Sequence, residues 1–366
     1  MEGNGQAKLC LFLVLFACCT LFVVDARPFG LASILNLPGS AATSEQPVLN
    51  NRPLIGILSQ PGDGDGGEVV HKDEEAKYNT SYIAASYVKF VETGGARAVP
   101  IKYDASDEEL ERIFKSINGL VIPGGGADLH LNTTIMHAVS KLLQLAIDAN
   151  DRGDYFPVHG TCMGFEALSI WVTQDDDVLE KFVADGIPGP LNFVSKEARH
   201  GSMFRAMSNK LKDKLEVMPL GMENHDFGLS PAKMVSNGAL SNFFRMLTTT
   251  PDQNGKVYVS SVEARHYPIY GTQWHPEKNV WEWHAPAIPH SEDAVLLTQA
   301  TANFLVSEAR KSGHRPASVQ EEHELLIYNY QPYYSGKDEK GYFDQVYIFD
   351  APPGSIAQGK ADANNA

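Results

Sequence analysis

Between Val158 and Leu168 an apolar strand runs into Gly160-Thr161-Cys162-Met163-Gly164 and straight on into a helical pattern. A strand-to-helix turn this sharp crowds its own side chains, and the glycines on either side of Cys162 relieve the crowding. The cysteine then projects from the carboxyl edge of a sheet, and the positive end of the following helix favours its thiolate. Gly-x-Cys-x-Gly in that setting is the thiol form of a nucleophile elbow.

The chain around it repeats the same alternation. Leu54–Leu58 is a short apolar run suited to a buried parallel strand. Ala76 to Glu92 is helical in period, with Tyr82, Ala85, Val88 and Val91 along one stripe. Ala98–Ile101 follows as a strand, Asp107–Ser116 as a helix, Gly119–Ile122 as a strand, Ile135–Ala149 as a helix and Phe156–His159 as a strand. This rhythm predicts an α/β protein whose mostly parallel central sheet carries helices on both faces. Val257–Glu263 and Ile269–Trp274 read as neighbouring strands, Asp293–Ala309 as a closing helix, and Leu325–Tyr328 and Val346–Phe349 as extra late strands. Residues 51–350 are expected to form the catalytic domain, and the small, polar stretch 351–366 a disordered tail.

The N-terminus has a different character. Lys8 precedes an apolar run from Leu9 to Val24, and Val24-Asp25-Ala26 ends it with the small residues that signal peptidase reads. Residues 1–26 are therefore read as a secretory signal peptide and 27–50 as a propeptide or flexible leader. The run is shorter than the roughly 20 residues a membrane-spanning helix needs. Of the four cysteines, Cys10, Cys18 and Cys19 lie in the signal, which leaves Cys162 as the single thiol of the mature chain. An intermolecular bridge, a reactive thiol and an inert buried cysteine all remain open on that count alone. Asn79-Thr80-Ser81 and Asn132-Thr133-Thr134 are glycosylation sequons consistent with a secretory route. The net charge of −15 argues against nucleic-acid and anionic-membrane partners.

A cysteine nucleophile needs a base and a group to orient that base. His275 follows an apolar strand in Gly271-Thr272-Gln273-Trp274-His275-Pro276-Glu277, where Pro276 stiffens the turn and Glu277 could hold the imidazole. A partly buried structural histidine is the competing reading. Ile122-Pro123-Gly124-Gly125-Gly126 opens a strand into three glycines whose N–H groups, Gly125 and Gly126 with that of Met163, suit an oxyanion hole. Neither a phosphate loop nor a dinucleotide fingerprint has this spacing. Asp63, Asp65 and Glu74 lack the glycine of a calcium loop, with Glu68 in its place, and the spacings of a structural zinc site are missing, so neither metal nor cofactor is expected. Trp281-Glu282-Trp283 reads as packing.

Together these segments resemble the class I glutamine amidotransferase-like superfamily, a flavodoxin-like fold, and within it the γ-glutamyl hydrolases. The likeness runs over roughly residues 52–350. It rests on Arg52–Leu58, Pro123-Gly124-Gly125, Gly160–Glu166, Glu223-Asn224-His225-Asp226-Phe227-Gly228-Leu229-Ser230 and Tyr267–Lys278. The resemblance implies that Cys162 is the nucleophile, His275 the general base and acid, Glu277 its orienting partner and His225 a substrate contact. Glu166, one helical turn past Cys162, is read as structural. It further implies folate poly-γ-glutamates as substrate, a homodimer, and an acidic vacuole- or lysosome-like compartment or the extracellular space. A glutaminase subunit of an amidotransferase, or a non-catalytic binder on the same fold, would share much of the pattern. An anionic polyglutamate tail on an acidic protein calls for a local cationic patch, for which Lys196, Arg199, Arg205 and Lys278 are available. A free thiol of pKa about 8.5 would be ionised only about one part in 3,000 near pH 5, so protonated His275 and the helix end are expected to lower that of Cys162.

Overall fold

The computed structural model describes residues 49–63, 80–338 and 342–350. The signal, nearly all of the leader, Asn79, Asp65, Glu68, Glu74 and the tail lie outside the described residues. The strands are β1 (Leu54–Leu58), β2 (Gln60–Pro61), β3 (Ser81–Ala84), β4 (Arg97–Ile101), β5 (Gly119–Ile122), β6 (Val158–Thr161) and β7 (Glu180–Gly189). They continue with β8 (Asn192–Phe193), β9 (Gly221–Gly228), β10 (Phe244–Pro251), β11 (Val257–Ala264), β12 (Ile269–Thr272) and β13 (Val346–Phe349). The longer helices are α1 (Ala85–Thr93), α2 (Asp107–Ser116), α3 (Thr134–Asp151), α4 (Met163–Thr173) and α5 (Glu292–Ala309).

The main sheet has the order β4-β1-β5-β6-β12-β11-β10-β8. Its first five strands are parallel and the last three antiparallel to their neighbours. Numbered among themselves, the parallel strands run 2-1-3-4-5, the flavodoxin-like order, which reverses between β1 and β5. Alternation within the strands explains the three layers. Leu54, Leu58, Leu120 and Ile122 face one core with α2, α3 and α4, while Ile55, Ile57 and Val121 face another with α1 and α5. Strands buried on both faces must be apolar throughout, as these are. Side-chain caps from Ser106, Thr133 and Ser291 start α2, α3 and α5.

Two expectations need correction, and one feature was not foreseen. The stretch read as a helix from Ala76 holds strand β3 up to Ala84, because Ser81-Tyr82-Ile83 pairs with β2 and with β13. Leu325–Tyr328 is not a strand. Ser318 caps a helix at Val319–Leu325 by accepting from the Glu321 N–H, and a 3-10 turn at Ile327–Asn329 follows. The antiparallel ribbon of β7 and β9, bulged on either side of Ala184, has no counterpart in the sequence reading. Among the described residues no helix is long and apolar enough to cross a membrane.

Among the described glycines, the one with least room for a side chain lies where α4 meets β5. A methyl group on Gly164 would lie 2.0 Å from the Ile122 carbonyl oxygen, a backbone atom that cannot swing aside. Gly164→Ala should therefore lower unfolding stability by about 3 kcal/mol or more, at the upper end of overpacking costs. Gly238→Ala, with nothing near its added carbon, should cost nothing measurable; urea midpoints of the two variants test the contrast.

Candidate active site

The segments leaving β1, β5, β6 and β12 meet at the carboxyl edge of the sheet, beside the point where strand order reverses. β6 delivers Cys162 with φ 52° and ψ −114°, a conformation that costs a residue with a Cβ about 1–3 kcal/mol. Hydrogen bonds on both sides hold it there. The Cys162 N–H donates to Thr272 O at 2.7 Å, and Cys162 O accepts from Phe165 and Glu166 at 2.8 and 3.0 Å. Its side chain is buried.

His275 leaves the end of β12, and its N–H donates to Met222 O on β9 at 2.8 Å. The ring Nδ1 lies 2.7 Å from Oε1 of Glu277, so Nδ1–H donates to a fully buried carboxylate and Nε2 is left as the basic nitrogen. That Nε2 is buried without a hydrogen-bond partner. Thiol and imidazole converge at Gly124. A methyl group there would lie 2.8 Å from His275 Cε1, 2.8 Å from Tyr87 Oη and 3.2 Å from Cys162 Cβ. Both side chains flank one point that only a glycine leaves open.

Tyr87 is a site residue that the sequence reading passed over. Its hydroxyl accepts from the Gly124 N–H at 2.7 Å and stands 3.4 Å from His275 Nδ1. With Gly124 engaged, the loop N–H groups without a partner among the described residues are those of Gly125 and Gly126. The Met163 N–H faces the Cys162 sulfur from the start of α4. Gln60, just past β1, lies against Gly125, and both atoms of its buried amide lack a partner.

Burial dominates the electrostatics. It pushes the Cys162 thiol well above its usual range, with Glu166 and Glu277 adding to the push, while Lys278 and the Met163 N–H pull the other way. Burial also holds His275 below the usual imidazole range despite Glu277. Glu277 stays below the usual carboxylate range, because its burial is outweighed by His275 and Lys278. This direction is opposite to the lowering expected of the thiol, and Sγ–H donates to Asn224 O at 3.6 Å.

Glu166 accepts from Gln273 Nε2 at 2.9 Å, and burial pushes its carboxyl up to about 7. His225, buried on β9, acts electrostatically on Glu166. Of the four cations considered, Lys278 is buried beside Cys162, His275 and Glu277. Arg199 is taken by Asp213 and Glu216, and Lys196 and Arg205 stand exposed. Asn132 is exposed ahead of α3. Glu282, His284 and Asp344 bring donor atoms within 4.8 Å of one another. Within it His284 Nδ1 lies 3.4 Å from Glu282 Oε2 and 3.8 Å from Asp344 Oδ2.

The strained backbone yields a stability test. Cys162→Gly relieves about 1–3 kcal/mol of strain, more than the roughly 0.4–1 kcal/mol that glycine's extra freedom in the unfolded chain costs. Its urea midpoint should lie above that of Cys162→Ala, although both lack the thiol.

The Peptidase C26 family model matches residues 53–173. Gamma-glutamyl hydrolase 1 of Arabidopsis thaliana is 46% identical over 310 residues, 85% of this chain and 86% of that one. Gamma-glutamyl hydrolase of Glycine max is 38% identical over 352 residues, 96% and 100% of the two chains. The Homo sapiens gamma-glutamyl hydrolase is 40% identical over 302 residues, 82% and 90%. Identity at this level across most of each relative shows that the chain belongs to the γ-glutamyl hydrolase family.

Proposed function

We propose that the protein hydrolyses γ-glutamyl amide bonds, foremost those of folate poly-γ-glutamates, through Cys162, His275 and Glu277. The observation that carries this reading is the meeting of Cys162 and His275 at Gly124, with Glu277 fixing the imidazole tautomer. The scissile bond is a substituted side-chain amide of glutamine. A site open on the leaving-group side can therefore cut γ-linked glutamate chains.

In the first step Sγ attacks the γ-carbonyl carbon while its proton passes to His275 Nε2. Negative charge builds on the carbonyl oxygen, which the N–H groups of Gly125, Gly126 and Met163 stabilise. The imidazolium formed is held by Glu277 and gives its proton to the departing amine, leaving a γ-glutamyl thioester. Water, deprotonated by His275, attacks that thioester and releases the γ-glutamyl product and the thiol. Burial disfavours the charged form of both groups, so proton transfer is coupled to attack.

An acidic site of action fits these directions. A histidine held below the ordinary range remains an unprotonated base at pH values where a free imidazole would be charged. The signal-like N-terminus and the sequons at Asn79 and Asn132 support a secretory route to a vacuole-like compartment or the cell exterior, and are part of the same proposal.

Purified mature protein incubated with pteroylpolyglutamate should yield shortened pteroylglutamates, identified by mass. Cys162→Ala should abolish them; steady hydrolysis of free glutamine with no cleavage of the polyglutamate would favour a glutaminase instead. The acid limb of kcat/KM should lie below pH 6.5. Glu277→Gln removes the charge that raises His275, so that limb should move to still lower pH. The maximal rate should fall about 10³-fold or more, as when a triad loses its orienting carboxylate.

A further inference from the structure

Two side chains on β9 are left over by this mechanism. Glu223 is fully buried, and its carboxylate faces His225 and the Tyr258 hydroxyl. Its Oε2 lies 3.3 Å from Nε2 of His225, which is also buried. Strand alternation places both on one face of β9, while the Asn224 carbonyl between them faces the Cys162 sulfur. The other ring nitrogen of His225, Nδ1, stands 2.7 Å from the Phe227 carbonyl oxygen. A carbonyl can only accept, so Nδ1 must carry a hydrogen. The opposite nitrogen faces a carboxylate, and a bare lone pair there would point at negative charge. Against an ionised Glu223 only the imidazolium, a donor at both nitrogens, fits both neighbours; burial raises the Glu223 carboxyl, while His225 and the Tyr258 hydroxyl draw it back down.

We propose that Glu223 is a positioning residue that holds His225, the substrate contact implied by the family resemblance, as a buried imidazolium that can meet a carboxylate of the γ-glutamyl substrate. The subsite role rests on the γ-glutamyl reading; the charge on His225 does not. The titratable groups facing the ring are Glu223 on its own strand, Glu166 on α4, His275 beyond β12, and Tyr258 on β11, which meets it edge-on at 4.6 Å. β7 sets uncharged Ala184 opposite. Burial alone would push His225 down, and Glu223 is the foremost group that reverses this, with Glu166 and the Phe227 carbonyl assisting. Glu166, itself pushed up to about 7, is largely protonated in an acidic compartment and adds little there. Burial raises Glu223 as well, but His225 and the Tyr258 hydroxyl draw it back, and at 3.3 Å from Nε2 it is the foremost partner of the ring.

The test compares Glu223→Gln with Glu223→Asp, which keeps the charge. For Glu223→Gln on pteroylpolyglutamate, KM should rise about tenfold between pH 4.5 and 6.5, the worth of one charge-assisted contact, while kcat changes less than about threefold. In the native enzyme KM should stay flat over that range, and Glu223→Asp should recover most of the affinity. Equal loss of kcat at every pH, or an unchanged KM profile, would overturn the assignment. A second measurement needs neither turnover nor a Glu223 variant. The imidazole nitrogens of His225, followed by NMR in Cys162→Ala protein, should show both nitrogens protonated at pH 5.5 with a midpoint above 6.5. A neutral His225 at pH 5.5 would sink the proposal even if the enzyme cleaves polyglutamates. A charged His225 in a protein that does not cleave them would instead refute the substrate reading.

Discussion

How closely α4 approaches β5 governs the geometry of everything above it. With no Cβ on Gly164, the helix backbone rests on the Ile122 carbonyl, and Gly160 makes room for the same helix from the strand side. The chain must then turn from strand to helix within one residue, and Cys162 takes the strained backbone that results. The strain lifts its side chain above the sheet edge and aims the first N–H of α4 at the sulfur. Backbone hydrogen bonds to Thr272, Phe165 and Glu166 hold the residue in place. Strain of this size persists only where its surroundings over-determine it.

Burial then sets the charge state. A helix N-terminus favours an anion by about 0.3–1 kcal/mol when exposed, whereas removing a thiolate from water can raise its pKa by several units. The second effect is larger here, and the carboxylates of Glu166 and Glu277 act in the same direction. Burial thus works against a pre-ionised thiolate–imidazolium pair. Two neutral groups side by side have a compensating advantage in acid, because the imidazole stays available as a base when it is held below its usual range. Glu277 then matters twice, first for the tautomer and later for the charge that appears on His275 during attack.

The parallel half of the fold was legible because its signals are local. Apolar runs of four or five residues, helices with side-chain caps and the glycine-flanked cysteine each report their structure within a short window. His275 and Glu277 could be paired from the two-residue spacing across a stiff proline. Tyr87 could not. It sits in a helix whose neighbours Ala85 and Val88 are core, and only the arrival of the Gly124 N–H at its hydroxyl makes it part of the site. Gln60 is similar, since its amide is notable only for lacking partners. The β7–β9 ribbon escaped because bulges break its alternation and its polar residues imitate a loop. The Leu325–Tyr328 error has the same root: a short apolar run says nothing of the Ser318 cap seven residues before it.

That ribbon also explains how two side chains far apart in sequence keep their spacing. The carbonyls of Met222 and Asn224, two residues apart on β9, point to the same side of the strand. The first accepts the His275 N–H and the second faces the Cys162 sulfur. Two residues of strand span roughly 6.5–7 Å, so β9 acts as a crosspiece that gauges the separation of base and nucleophile. The same strand carries Glu223 and His225 on one face. Chemistry reads the backbone edge of β9 and recognition reads its side chains, so a one-residue slip of the strand would disturb both at once.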